Sequence, residues 1–283
     1  MSFKNIGFIG FGLIGGSIAR AIKSVRPECT ITVTSRSLTP LHRALNDGII
    51  DNICDSPDNT FSKCDFIIIC TPVITIASYL KQLKDIINPS CLISDVGSVK
   101  GFVHNAVKQL NLEKNFIGGH PMAGSELTGY ANSSAEILNG AKYIITPTPF
   151  TTDSQLNALK DFIYEIKAEP IVMDAAAHDY AAAGISHVPH LSACALTHMV
   201  KKQDTSSHYM HIMAAGGFKD STRIAASSPE MWEQICAANG DAISQMLSEY
   251  IDILNEIKNN IDSKTPGYIK NIFTESRDYR NTF

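Results

Sequence analysis

The chain has 283 residues, of which 44% are apolar and 18% charged, with a formal net charge of −4. That is the composition of an ordinary globular protein with room for two domains, and it excludes a disordered or low-complexity chain. The slight acidic balance leaves no basic footprint for a nucleic-acid partner, and no apolar run is long and unbroken enough to span a bilayer, so no membrane partner is expected either.

The first element is the most informative. An apolar run, Ile6-Gly7-Phe8-Ile9, passes straight into Gly10-Phe11-Gly12-Leu13-Ile14-Gly15 and then into a helical pattern. This is the G-x-G-x-x-G dinucleotide fingerprint in its strand-to-helix setting. Gly10 permits the tight turn, Gly12 lets the backbone approach a pyrophosphate, and Gly15 lets helix and strand pack closely. The free N–H groups of the first helical turn, at Leu13 and Ile14, then favour an anion. A glycine-rich turn that binds nothing has the same spelling.

The second strand, Thr30-Ile31-Thr32-Val33-Thr34, ends in Ser35-Arg36-Ser37. An acidic residue there would grip the ribose 2′-hydroxyl of NAD. Two hydroxyls and a guanidinium instead suit a 2′-phosphate, so NADP is expected in preference to NAD. Arg36 read as an ordinary solvated charge is the alternative.

Strands are expected at 66–70, 92–95, 115–119, 143–145 and 170–173, with helices at 73–87, 99–110 and 154–167. Such alternation predicts an α/β fold, a Rossmann-type doubly wound sheet with its ligands at the carboxyl ends of the strands. Thr71, at one such end, joins the cofactor set. Near Asp174 strand signals stop and alanine-rich helical sequence takes over, so the expected division is a dinucleotide-binding domain at 1–174 and an all-helical domain at 175–283. Ser228-Pro229 reads as an N-cap followed by proline at the first helical position. Beyond it Ile243, Leu247, Tyr250, Leu254, Ile257 and Ile261 form a heptad-like seam. This fits either a helix packed on its own domain or a subunit interface, and the small core available to the helical half favours a homodimer.

Chemistry is expected in two loops at the strand ends, 95–100 and 118–126. His120 precedes Pro121, which biases its backbone to an extended form, and a histidine there can accept a proton from a hydroxyl being oxidised. Ser98 can hydrogen-bond the same hydroxyl, or simply cap a helix. In the helical half, His187 and His190 have metal-like spacing without a third ligand near in sequence, so no metal is expected. Arg223 suits a carboxylate, or an ion pair with Asp220 three residues earlier. Seven cysteines are scattered without C-x-x-C pairing, which reads as reduced thiols in a cytoplasmic protein.

Taken in order, G-F-G-L-I-G-G, D-V-G-S-V-K, G-G-H-P-M-A-G-S-E, S-H-V-P-H and G-G-F-K-D-S-T-R-I resemble the motifs of the prephenate/arogenate dehydrogenase family of tyrosine biosynthesis, from Ile6 to about Trp232. The resemblance implies oxidative decarboxylation of prephenate or arogenate with NADP or NAD. It implies His120 as the group that takes the 4-hydroxyl proton, Ser98 as its support and Arg223 as the carboxylate ligand. His190 and Ser125 would line the substrate pocket, with Glu126 and Trp232 at its edge and His187 behind it. It also implies an interdomain active site and, from where the chain begins and ends, a monofunctional enzyme. Two other readings stay open: a β-hydroxyacid or imine-type NADP dehydrogenase of similar build, and a non-catalytic NADP sensor.

Overall fold

A computed structural model describes residues 3–124 and 127–283. Five parallel strands, β1 (Asn5–Ile9), β2 (Thr30–Thr34), β3 (Asn52–Cys54), β4 (Phe66–Ile69) and β5 (Leu92–Asp95), pair in the order β3-β2-β1-β4-β5. Three more, β6 (Ile117–Pro121), β7 (Lys142–Pro147) and β8 (Glu169–Val172), continue beyond β5, joined to it by a single parallel bridge from Ile93 to Phe116. β7 runs antiparallel to β6 and parallel to β8, so the extension departs from the all-parallel half.

The apolar runs are explained by two covered faces. Along β4, Phe66 and Ile68 enter one core while Ile67 and Ile69 enter the other, so there is no polar face to alternate with. The first core is closed by α1 (Leu13–Val25) and α5 (Asp153–Glu165), through Ile18, Ile22, Leu159 and Phe162. α5 starts where Thr152 and Gln155 form a reciprocal capping box, which satisfies two otherwise orphaned donors. The second core is closed by α3 (Val73–Leu83) and α4 (Gly101–Gln109) and, from the helical half, by Ala183, Ile235 and Ile243. Between β2 and β3 lies α2 (Thr39–Asn46). The elements expected from the sequence are present in order and type, with ends differing by a few residues, while α2 and the three-residue β3 were not among them.

Past Val172 every described element is helical: α6 (Ala175–Ala182), a π-helical turn (Ala183–His187), α7 (Val188–Gln203), α8 (Tyr209–Ile212), α9 (Gly216–Thr222), a 3₁₀ turn (Arg223–Ala226), α10 (Pro229–Ala238), α11 (Gly240–Asp262) and α12 (Tyr268–Arg280). α10 begins as its sequence predicts, with the Ser228 hydroxyl accepting the Met231 N–H and proline in the first turn. The seam on α11 is divided. Ile243 is buried, whereas Leu254 and Ile261 are 45% and 57% exposed. Among the described residues no helix is long and apolar enough to cross a membrane, and all seven cysteines are free, four of them buried.

Candidate active site

The glycine loop has the geometry of a phosphate cradle. Gly10 sits at φ +85°, and a Cβ there would lie 2.7 Å from the Cys70 carbonyl oxygen, so only glycine makes this turn. Its N–H donates to the Thr34 carbonyl at 2.8 Å, tying the loop to the end of β2 and setting Ser35, Arg36 and Ser37 beside it. Gly12, the N-cap of α1, has nothing within 4 Å of where its Cβ would be, so the space over the helix N-terminus is open. No side chain caps that terminus and no acidic residue lies in its first turn; the N–H groups around Leu13 and Ile14 stay available to an anion. At Gly15 a Cβ would come within 3.0 Å of the Gly10 carbonyl oxygen.

Two further observations fit a dinucleotide. The Thr71 hydroxyl, just past β4, is buried with no hydrogen-bond partner among the described residues, the state of a polar group built for something else. Arg36 is exposed, and its guanidinium has no partner among the described residues.

His120 is in β6, opposite Ile144 of β7, and so belongs to the strand that was expected to end at residue 119. The extension is possible because Pro121, which lacks an N–H, falls at the last paired position, and Met122 resumes bonding to the Lys142 carbonyl. The two glycines before it are steric necessities. A Cβ at Gly118 would be 2.2 Å from Thr146 Oγ1, and one at Gly119 would be 2.6 Å from the Asp95 carbonyl oxygen.

From His120 a hydrogen-bonded chain runs into the helical half. Its Nδ1 is 2.8 Å from His178 Nε2, and His178 Nδ1 is 2.8 Å from Asp179 Oδ1. Asp179 also accepts the backbone N–H groups of Lys100 and Gly101, each at 2.7 Å. Burial pushes the Asp179 carboxyl up, but the His178 bond and the two amide bonds outweigh it and hold it below the usual carboxylate range. An ionised Asp179 only accepts, so a neutral His178 carries its proton on Nδ1 and offers a lone pair at Nε2. His120 must then hold its proton on Nδ1, which leaves Nε2 bare. Burial chiefly, with the nearby His178, Lys100 and His187, keeps His120 well below its ordinary value. The imidazole is a neutral base with a defined tautomer.

Behind it lies a second group. The Asn239 side-chain amide donates to the Asp179 carbonyl at 2.9 Å and lies 3.2 Å from His187 Nδ1. Burial lowers His187 to about 4. His187 meets the Trp232 ring edge-on at 5.9 Å, and His190 lies over the same ring at 4.2 Å. His190 Nδ1 donates to the Ser186 carbonyl at 2.8 Å, and the Trp232 indole N–H is buried without a partner among the described residues.

His120, His187, His190 and Trp232 are thus brought together, and among the described residues no group of three or more His, Cys, Asp or Glu side chains is placed to hold a metal ion. Ser98 is half-buried in the β5–α4 loop, and its hydroxyl has no partner among the described residues. It does not cap α4; the Asp179 carboxylate does. Arg223 is exposed at the start of a 3₁₀ turn packed against α7, the helix of His190. Ser125 and Glu126 lie outside the described residues. Sequence reasoning missed His178, Asp179 and Asn239, and gave no individual role to Asp95 and Lys100 within the loop it singled out. The pair His178-Asp179 sits in an alanine-rich helix, and its one signal was two polar residues in an apolar run.

Comparison with known proteins finds likeness along nearly the whole chain. Residues 18–172 match the family model for the prephenate dehydrogenase nucleotide-binding domain, and 174–275 that for the prephenate dehydrogenase dimerization domain. A prephenate dehydrogenase of Bacillus subtilis is 35% identical over 96% of this chain and 74% of its own length. A cyclohexadienyl dehydrogenase of Zymomonas mobilis is 33% identical over 98% and 95%. The structure of Aquifex aeolicus prephenate dehydrogenase with hydroxyphenyl propionate and NAD+ superposes with a TM-score of 0.93 at 30% identity, covering 100% of this chain and 99% of that one. A Rossmann cradle, a tautomer-locked histidine at the adjoining strand end and full-length likeness converge: the chain belongs to the prephenate/arogenate dehydrogenase family of NAD(P)-dependent oxidoreductases.

Proposed function

We propose that this protein oxidatively decarboxylates prephenate or arogenate in tyrosine biosynthesis, with His120 as the base and NADP preferred over NAD. The carrying observation is the chain from Asp179 through His178 to His120 Nδ1, which leaves Nε2 of a neutral imidazole free to accept the 4-hydroxyl proton. The two domains, 1–174 and 175–283, each contribute to this site.

Gly10, Gly12, Leu13, Ile14, Gly15 and Thr71 would hold the dinucleotide, and Ser35, Arg36 and Ser37 its 2′-phosphate. The nicotinamide, when bound, supplies the hydride acceptor. His120 takes the hydroxyl proton as the C–O bond gains carbonyl character. The ring carboxylate departs as carbon dioxide, the ring becomes aromatic, and the same imidazole returns the proton to the phenolate oxygen. Because aromatisation makes the reaction strongly downhill, the protein's task is alignment and handling of one proton.

Ser98 supports the 4-hydroxyl and Arg223 holds a carboxylate. His190 and the unpartnered Trp232 N–H complete the polar lining, with His187 behind, and the family resemblance assigns Ser125 and Glu126 to the same pocket. The exposed part of the α11 seam, with Phe273 of α12 at 72% exposure, forms a homodimer interface, since an apolar stripe of this kind is seldom left to water. The test is steady-state turnover of prephenate and arogenate, each with NAD and NADP. Turnover of neither substrate overturns the reading, and sedimentation as a monomer at micromolar concentration overturns the dimer.

A further inference from the structure

Lys100 is fully buried, as is Asp95. Its ammonium bonds the Asp95 carboxylate and the carbonyl of Gly119, the latter at 2.7 Å. Asp95 in turn accepts the Gly119 N–H at 3.2 Å and the Gly97 N–H at 2.9 Å. Both peptide units flanking Gly119 are therefore fastened to one ion pair, immediately before His120. The peptide N–H of Lys100 also donates to Asp179 Oδ1, the oxygen that holds His178. One residue thus touches both supports of the imidazole: the strand that carries it and the arm that grips its Nδ1.

Stability alone does not account for a charge here. A buried ion pair is often no better than well-packed apolar side chains of the same volume, and lysine is among the residues least often fully enclosed. What an ammonium offers over a methionine is direction, through donors aimed at a chosen carbonyl.

We propose that Lys100 is a positioning residue for His120, whose ammonium holds the strand end that carries the imidazole and thereby keeps Nδ1 seated against His178. The inference rests on the reading of His120 as the base. Its mechanism is geometric. Losing the bond to Gly119 frees the peptide that sets the direction of the His120 side chain, and a misplacement of about 1 Å at a reacting group can cost on the order of 10²-fold in rate.

The test uses the full-length holoenzyme and two variants. Lys100→Met removes the ammonium at nearly constant length but leaves Asp95 as an uncompensated buried carboxylate. Asp95→Asn/Lys100→Met removes that charge as well, and so guards against simple failure to fold. For the double variant we expect a Tm near the wild-type value, kcat reduced roughly 10- to 100-fold, and substrate KM and NADP Kd within about threefold of wild type. A second readout requires no turnover: the ¹⁵N shifts of the His120 ring, which show one Nδ1–H tautomer in the wild type and a mixture in the variant. A folded double variant with wild-type kcat and an undisturbed tautomer overturns the proposal. So does a fall in kcat matched by an equal rise in KM and Kd with the tautomer intact, which is the pattern of a merely structural role. If the wild type turns over neither substrate, the functional reading fails, while the ring-nitrogen shifts still decide whether Lys100 keeps Nδ1 seated against His178.

Discussion

His120 Nδ1 and His178 Nε2 stand 2.8 Å apart, across the boundary between the last part of the sheet and the first helix that follows it. The direction of that bond is imposed from its far end. Asp179 is held below the usual carboxylate range by its bond to His178 and by two amide N–H groups at the start of α4, and with both imidazoles neutral only one proton arrangement joins the three groups. The logic is that of an acid-histidine pair orienting a base, lengthened by one imidazole.

His120→Asn should lower kcat by about 10²- to 10⁴-fold while KM changes little, because proton acceptance matters in the transition state. His178→Phe should cost less, roughly 10- to 100-fold, since the base remains but its tautomer is free. Steady-state kinetics with Tm controls checks both, and a His178→Phe enzyme of normal kcat would remove the second imidazole from the mechanism.

The pH responses follow from the lowered histidines. Protonation of His120 requires a pH well below 6.5, so kcat should stay level as pH falls through 6.5 and drop only under more acidic conditions. His187 is lowered to about 4. Below pH 6.5 the unfolded chain takes up a proton that the folded chain refuses, and stability falls with pH. The loss is on the order of 3 kcal/mol, complete near pH 4 and absent above about pH 6.5. His187→Gln should flatten that part of the Tm-against-pH curve; an unchanged slope would contradict the assignment.

The glycine loop separates fold from ligand. Gly10→Ala strains a φ of +85° and meets the Cys70 carbonyl at 2.7 Å, and should destabilise the protein by about 1–3 kcal/mol. Gly12→Ala meets nothing within 4 Å, so Tm without cofactor should not change, whereas NADP Kd should rise at least tenfold, about 1.4 kcal/mol. Thermal melts and cofactor titration on the two variants decide the matter.

Arg36→Ala should abolish most of the preference for NADP over NAD, by tenfold or more, since a charged hydrogen-bonding partner contributes roughly 1.5–3 kcal/mol. The measurement is the ratio of kcat/KM values for the two cofactors. A wild-type enzyme that prefers NAD would refute the 2′-phosphate site.

Arg223→Ala should fail mainly in binding, with substrate KM rising tenfold or more, as expected for loss of roughly 1.5–3 kcal/mol from a charged contact. NADP affinity and Tm should remain near wild type. A KM that does not move would make Arg223 structural.

The α/β alternation, the glycine loop and the capped start of α10 were all legible in the chain, because each depends on neighbours a few positions apart: period-two and period-3.6 apolar patterns, a cap, and a turn that tolerates only glycine. His120 was legible as a polar residue at a strand end. What made it a base was not. His178 and Asp179 lie 58 and 59 positions further along, in a segment that reads as ordinary alanine-rich helix, and Lys100 lies twenty positions before His120, in a loop marked for chemistry but with no role for its lysine. Their roles arise only when α6 is laid against the N-terminus of α4 and across β6, so that a carboxylate caps one helix and orients an imidazole on another element. Burial there raises the cost of any unpaired polar group, and that cost selects the single proton arrangement. Local sequence settled the elements, and the tertiary structure decided which nitrogen of His120 is left without a proton.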